Sequence, residues 1–492
     1  MKILLIDPPF YRIFNMYNRY FPYGLVCLAT YLKENGFPEV FVYDADYNEH
    51  PEDIDYSRLS RAYQAYLNSF NQNTHPVWHE VENTIRDIKP GLIGISIWTT
   101  FAASSFYTAQ LAKKIFPEVP IVLGGPHATV RATEILDICP HVDFVIQGES
   151  EQSLTSLAKA LNSNYQFDTI KGIAYRIKGK VFKLPPSKHT INLNLFPFPD
   201  RSLLINESSY NSEDMGLMMT SRGCPFACTY CATTTNRVSF RTTDHILSEI
   251  QYVRERYGTV QFTFKDDSFT VNSERVKEFC NDLIAKGINI NWECNTRVNL
   301  INEQLLQLMK NAGCNFIKVG VESGSKSILK SMNKGITLDQ IIKASHLFRK
   351  TGIHWTAYFM IGVPGETIND IKKTIDFMKH IRPDFICIGV YEPFPGTAMF
   401  ESGIIRGLFN DNMTLKDFFE TLPNHYYKVD PNKQTDLIPF DQFIQMEENI
   451  KAFVYNYNRN IFRILKMGKA RSRVYFNDPK ILWEDLKKFL SY

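Results

Sequence analysis

From Met1 to about Ala160 the chain alternates short apolar runs with amphipathic segments. KILLID, VFVYDAD, LIGISIW, PIVLGG and VDFVIQG read as strands buried on both faces, and GLVCLATYLKENG and SSFYTAQLAKKIF between them read as helices. This alternation predicts a doubly wound, Rossmann-like parallel sheet with helices on both faces. Ligands of such sheets sit at the carboxyl ends of the strands, which here carry Asp7-Pro8-Pro9, Thr99-Thr100, Gly124-Gly125-Pro126-His127 and Gly148-Glu149.

The pattern loosens over residues 161–212, where GIAYRIKGKVFKLPP reads as a small hairpin and LFPFPD as a proline-rich linker. A second alternation fills residues 213–400. Strands are expected at GLMMTS, VQFTFKD, NINWECNT, FIKVGVE, HWTAYFMIG and DFICIGVY, with amphipathic helices such as Asp244 to Arg256 and Ser273 to Lys286 between them. Six strand-helix units exceed half of a doubly wound sheet and fall short of a full eightfold barrel, so an open, partial (β/α)6 TIM-like barrel is the economical reading. Residues 401–492 read as mainly helical.

Composition narrows the function. Of 492 residues, 44% are hydrophobic and 22% charged, the usage of a folded globular protein. A net charge of +3 is too small to point to nucleic acid as a partner. The opening MKILLIDPPF has too short an apolar run for a secretory signal and reads as a buried strand. The uncharged stretch Pro90 to Ala112 is broken by threonines, serines and a glutamine, so it is expected to form strand, loop and helix start and not a membrane span. With nine cysteines and no signal, a reducing, cytoplasmic setting is expected.

Six of those cysteines are scattered within apolar patterns and read as small buried hydrophobes. The other three stand together in MMTSRGCPFACTYCATTT, as Cys224, Cys228 and Cys231. A structural zinc site wants four ligands, and no second pair follows at the usual distance; the nearest candidate, His245, lies in a predicted helix. Three thiolates on one loop suit an iron-sulfur cluster with one iron left open, whereas an electron carrier would fill all four positions.

CPFACTYC resembles the signature of the radical S-adenosylmethionine (SAM) enzymes, whose core is a six-unit barrel. FTFKDDSFT, WECNTRVNLI, IKVGVESGS, YFMIGVPGET and YEPFPGTAMF, at strands two to six, resemble motifs of the cobalamin-binding subgroup of that superfamily, and GGPHAT and VDFVIQGESE resemble its corrinoid-binding domain. The resemblance covers about Met1 to Phe400 and implies three cofactors: a 4Fe-4S cluster, SAM and cobalamin.

It also implies roles. Cys224, Cys228 and Cys231 would hold three irons while the amino and carboxylate groups of SAM chelate the fourth. Tyr230 either lies along the adenine or simply packs; Asp266 or Asp267 accepts from the SAM amino group while the other caps the following helix. Glu322 meets the ribose hydroxyls or the methionyl group, and Gly362, Pro364 and Gly365 let backbone approach the adenine. Arg297 pairs with the methionyl carboxylate or, alternatively, with Glu293 or Asp266. The cobalt-ligating string D-x-H-x-x-G is absent. Of His50, His75, His79, His127 and His141 only His127 stands at a strand end, so it is expected at the nucleotide tail or a neighbouring loop, with cobalt as the alternative. Thr99, Gly124, Gly125, Gly148 and Glu149 complete the expected cobalamin site.

The implied reaction is reductive cleavage of SAM to a 5′-deoxyadenosyl radical, followed by methylation of an unactivated carbon from methylcobalamin. The substrate would be a small molecule or a lipid, and an external donor such as flavodoxin or ferredoxin would supply electrons. Ring-forming or rearranging relatives, and a non-catalytic iron-sulfur or zinc module, are the rival readings. Six basic residues between Arg459 and Arg473 form either a solvated helix face or a contact for an anionic substrate or a lipid surface.

Overall fold

The computed structural model describes residues 1–15, 20–47, 56–70, 75–163, 166–186, 192–232 and 237–490. The first sheet contains β1 (Ile3–Asp7), β2 (Val40–Asp44), β3 (Leu92–Ser96), β4 (Ile121–Gly124), β5 (Phe144–Ile146), β6 (Ile173–Ile177) and β7 (Lys180–Lys183), in the order β2-β1-β3-β4-β5-β6-β7. The first five strands are parallel, as their continuous apolar runs require. Leu4 and Ile6 enter the core on one face, Ile3 and Leu5 the core on the other, so the sheet is buried on both sides. The order reverses between β1 and β3, which opens a crevice above the strand ends.

The linker hairpin is present as β6 and β7, and it joins this sheet antiparallel, on β5. It turns at Lys178 and Gly179, both at positive φ (47° and 76°), as a two-residue hairpin needs.

The second sheet holds the six expected barrel strands: β8 (Leu217–Met218), then, after a short ribbon of β9 (Ser221–Arg222) and β10 (Ser239–Phe240), β11 (Gln261–Phe264), β12 (Asn291–Thr296), β13 (Cys314–Glu322), β14 (His354–Ile361) and β15 (Phe385–Val390). They run parallel in the order β15-β14-β13-β12-β11-β8 and do not close. Trp292, Val319, Trp355 and Ile386 point outward into the helix layer. The ribbon brackets the cysteine loop and lifts it off the end of the first barrel strand.

Three connections make one body of these parts. Arg201 of the linker, fully buried, donates to the carbonyls of Met215 and Leu217 and to Glu249. Phe418, Tyr426 and Tyr427 from the C-terminal region enter the core of the first sheet. The C-terminal helices include Phe440–Asn458, Ile461–Asn477 and Pro479–Leu490. Most of the basic residues of Ile461–Asn477 are occupied by the base of the barrel: Arg463 donates to the Pro383 and Asp384 carbonyls, Lys466 pairs with Asp384, Arg471 with Glu213, and Arg473 reaches the Asn289 carbonyl. Among the described residues, no helix is long and apolar enough to cross a membrane.

Candidate active site

A cavity of about 690 Å³ runs from the first sheet to the cysteine loop. Its floor is apolar, formed by Leu5, Gly94 and Val122 on the strands and by Leu25, Leu28 and Leu154 on the covering helices. At Gly94 a Cβ would sit 2.6 Å from Leu5 Cδ2, so the absent side chain keeps the slot deep. The mouth lies at the strand ends, where Trp98, Gly124, Gly125, Gly148 and Glu149 face Met219, Gly223, Cys231 and Asp267 of the barrel. Arg222 ties the two halves together: it pairs with Glu149 and with Glu151. Asp7 lines the slot too, and burial, followed by the nearby carboxylates of Asp44 and Asp46, pushes its own carboxyl well above the usual range.

The cysteine loop is held from below by the turn after the helix Lys326–Ser331. Thr229 donates its amide to the Met332 carbonyl (3.0 Å) and its hydroxyl to that of Ser331 (3.0 Å), and Asn333 Nδ2 donates to the Ala227 carbonyl (2.7 Å). The next residue of that turn, Lys334, is buried. Its Nζ donates to Glu322 Oε1 (2.6 Å) and to the Tyr230 hydroxyl (3.0 Å), and Tyr230 donates to the same Glu322 oxygen (2.9 Å). Arg297 lies over the Phe226 ring, its Cζ 3.8 Å from the ring centre, with Nη1 3.4 Å from Cys228 Sγ. Burial raises the Cys224 thiol above its ordinary pKa, an effect opposed by the Phe226 amide and Arg297.

The sites expected from sequence divide. Cys231, Gly124, Gly125, Gly148, Glu149 and Asp267 meet at the cavity, and Tyr230, Arg297 and Glu322 gather around the cysteine loop. Thr99 and His127 turn away: Thr99 Oγ1 lies 3.0 Å from His127 Nδ1, and the His127 ring is buried beside Phe418 and Tyr427. Asp266 is fully buried and accepts from the Thr220 amide and hydroxyl and the Ser221 hydroxyl, so its lone pairs serve the barrel wall. Neither Asp266 nor Asp267 caps the next helix; Asn272 does. Arg297 pairs with neither Glu293 nor Asp266, because it turns toward Cys228 and the Lys334 carbonyl.

Gly362 and Gly365 are covered by the C-terminal region. Gln434 Nε2 donates to the Gly362 carbonyl and Asp436 accepts from the Gly365 amide, with Pro364 between them in the same turn. His50 lies outside the described residues; His75 caps a helix by accepting from Val77. Lys334 was missed by the sequence reading. Its only local signal is a lysine set in a turn between Asn333 and Gly335, both at positive φ.

The residues fit the three cofactors. Three free thiols stand on one loop, two half-buried and one exposed. Among the described residues no three ligating side chains converge on a single metal-ion point. A cuboidal cluster binds each thiolate at a different iron and does not need that convergence. The deep apolar slot beneath a glycine-lined mouth suits a flat heterocycle carried on a polar tail.

Comparisons with known proteins agree. Residues 218–378 match the Radical SAM superfamily and residues 12–158 the B12 binding domain. An uncharacterized methyltransferase of Pyrococcus horikoshii is 32% identical over 359 residues, 70% of this chain and 78% of that protein. The anaerobic magnesium-protoporphyrin IX monomethyl ester cyclase of Rubrivivax gelatinosus is 27% identical over 82% of this chain and 70% of its own length. Among solved structures, the radical SAM methyltransferase TsrM of Kitasatospora setae, with a tryptophan substrate and a SAM analog bound, superimposes with a TM-score of 0.65 at 16% identity, covering 96% of this chain and 99% of that one. The matched domains bring with them a 4Fe-4S cluster, SAM and cobalamin, and the chain belongs to the cobalamin-binding radical SAM enzymes.

Proposed function

We propose that this enzyme is a methyltransferase that delivers a methyl group to an unactivated carbon of a small molecule. The observation that carries this reading is the single cavity lined both by Cys231 of the cysteine loop and by Gly124, Gly125 and Gly148 at the strand ends of the first sheet. A radical source and a methyl carrier held on those two sides face one space, which is the arrangement a transfer between them needs. The matched methyltransferase of Pyrococcus horikoshii supports it further.

When bound, the cluster and SAM supply a carbon-centred radical by reductive cleavage, and cobalamin supplies the methyl group. The protein supplies placement. Cys224, Cys228 and Cys231 hold the irons, and the turn at Met332 and Asn333 fixes their loop. Arg297 places a guanidinium donor beside Cys228 Sγ. Glu322 and Tyr230, both oriented by Lys334 beside the cysteine loop, are the oxygen-bearing groups that would meet SAM there. Asp267 reaches the cavity mouth, where it is placed to accept from the SAM amino group. Gly124, Gly125, Gly148 and Glu149 receive the corrin side, and the apolar floor excludes water from the tail. Electrons come from an external donor of the flavodoxin or ferredoxin kind.

The test is stoichiometric. Reconstituted enzyme should hold about four irons per chain, and the Cys224→Ala, Cys228→Ala and Cys231→Ala variants should lose them. With substrate and a strong reductant, 5′-deoxyadenosine, S-adenosylhomocysteine and methylated product should form in roughly equal amounts, because one SAM cannot serve as both methyl donor and radical source. Deoxyadenosine without S-adenosylhomocysteine, with a product of unchanged carbon count, would place the enzyme with the cyclases. Zinc uptake without iron would end the radical reading.

A further inference from the structure

Arg222 joins the cysteine loop to the strand ends of the first sheet. It is the last residue of β9 and stands two residues before Cys224. Its Nη1 pairs with Glu149 and its Nη2 with Glu151 Oε1 (2.6 Å), while its Cζ lies 5.8 Å from the centre of the Phe196 ring in the linker. Glu151 opens the helix Glu151–Ser163 and is buried, so water competes poorly for this pair, unlike an ion pair out in solvent.

Both ends of the bridge are anchored. On the barrel side the Thr220 amide donates to Asp266 Oδ1 (2.6 Å) and the Ser221 hydroxyl to Asp266 Oδ2 (2.7 Å). On the other side the Gly148 amide donates to the Thr129 hydroxyl (3.0 Å), which donates to the Gly125 carbonyl (2.9 Å). The path from Gly148 to Cys224 then runs through Glu149, Arg222 and Gly223. Gly148 and Gly223 turn the chain at positive φ, 73° and 91°. Glycine restrains the backbone least, so the separation of Gly148 from Cys224 is set by the ion pair and not by chain stiffness. Both terminal nitrogens of Arg222 are taken by carboxylates, a planar fork that a lysine cannot reproduce.

We propose that Arg222 is a positioning residue: by gripping Glu149 and Glu151 it sets the distance across the cavity between the cluster loop and the strand ends that receive cobalamin. This rests on the methyltransferase reading. Gly148, Glu149 and Glu151 line the cavity on one side and Arg222, Gly223 and Cys231 on the other, so slack in the pair is slack across the cavity. Misplacing reacting groups by about 1 Å costs up to about 100-fold in rate. The two products of SAM use this frame differently. 5′-Deoxyadenosine needs the barrel side alone: an electron from the donor breaks the sulfonium bond to C5′, methionine leaves, and a hydrogen atom from the buffer completes the product. S-adenosylhomocysteine needs both sides, because the SAM methyl must cross to reduced cobalt, whose electron pair forms the new bond as the sulfonium bond breaks.

The test needs no substrate. Reconstituted wild type, Arg222→Gln, Arg222→Lys and Glu149→Gln/Glu151→Gln are incubated with SAM and titanium(III) citrate, and iron and cobalamin are counted per chain. S-adenosylhomocysteine formed per 5′-deoxyadenosine, at equal bound cobalamin, should fall about tenfold in Arg222→Gln and in the double variant, and Arg222→Lys should recover part of it. The paramagnetic broadening that the reduced cluster imposes on cob(II)alamin should fall in the same order. In the proteins before reconstitution, hydrogen exchange should quicken at residues 146–151 and 221–231 together, which decides the matter for any variant that fails to take up cofactors. A ratio and a broadening like those of wild type in Arg222→Gln or in the double variant, no relief at all in Arg222→Lys, or unchanged exchange would overturn the assignment. Wild type that makes neither product would remove the radical reading, and wild type that makes 5′-deoxyadenosine without S-adenosylhomocysteine would remove methyl transfer. In both cases the exchange measurement still shows whether Arg222 holds the two sides together.

Discussion

Lys334 Nζ lies 2.6 Å from Glu322 Oε1, and Glu322 holds a left-handed backbone conformation with φ of 68°. That conformation falls where the register between β13 and β14 shifts, between Gly320 and Glu322. Non-glycine residues rarely adopt it, and such local strain persists only where surrounding contacts determine it. Lys334 and Tyr230 supply those contacts, so strand four, the cysteine loop and the turn after the helix Lys326–Ser331 are fastened at one carboxylate.

Replacing Lys334 by Met should leave that buried carboxylate without a counter-charge and destabilise the protein by about 3 kcal/mol. Urea unfolding measures the loss. The double variant Glu322→Gln/Lys334→Met should recover part of it; a double variant no better than the single one would mean that charge is not the cause.

His127 is held neutral in the fold. Burial, with Arg131 adding to it, lowers its pKa from 6.5 to about 3. Unfolded chains take up the proton as pH falls below about 6.5 and folded chains do not, so this contribution is complete above pH 6.5 and is lost toward pH 3. Stability of wild type relative to His127→Gln should therefore fall by about 1.4 kcal/mol for each pH unit below 6. A pH-independent difference between the two proteins would contradict the buried neutral ring. Because His127 faces Thr99 and not the cavity, bound cob(II)alamin should show no nitrogen superhyperfine splitting from a protein histidine. Splitting that disappears in His127→Ala would reverse the placement.

At Gly125 φ is +130°, and a Cβ there would stand 2.6 Å from the Ile97 carbonyl oxygen, a backbone atom that cannot swing aside. Gly125→Ala should cost about 2 kcal/mol through strain. It should also displace the strand-end loop at the cavity mouth. Cobalamin bound per chain, measured by absorbance after gel filtration, should drop while iron content holds; unchanged cobalamin would show that the loop adapts.

Glu249 is fully buried between two guanidinium groups, with Arg201 at 3.0 Å and Arg241 at 2.6 Å. Glu249→Ala should leave two cations facing each other out of water and cost about 4 kcal/mol. Since Arg201 ties the linker to the first barrel strand, calorimetry should show the single unfolding transition splitting as the two sheets uncouple. One cooperative transition at the wild-type temperature would show that the network is dispensable.

Much of this was legible along the chain because the relevant signals are local. Strand β14 alternates so that Trp355, Ala357, Phe359 and Ile361 face the helices, a period carried by eight consecutive residues. The cysteine spacing is likewise contained in eight residues. Directions at strand ends are not local. Asp266 and Asp267 are adjacent and chemically identical, yet the first is sealed into the barrel wall by Thr220 and Ser221 while the second meets the cavity. That outcome depends on where β11 stops and on which loop packs beside it. His127 packs beside Phe418 and Tyr427, about 300 residues away in sequence, and Thr99 turns to its ring. Tyr230 and Lys334 meet across 104 positions. Periodicity and motif spacing determined the elements, their order and the cofactor chemistry, because each is encoded within a few residues. Only tertiary packing decided which strand-end side chains reach the shared cavity and that Lys334 fastens Glu322 to Tyr230, because those contacts join residues that no local pattern relates.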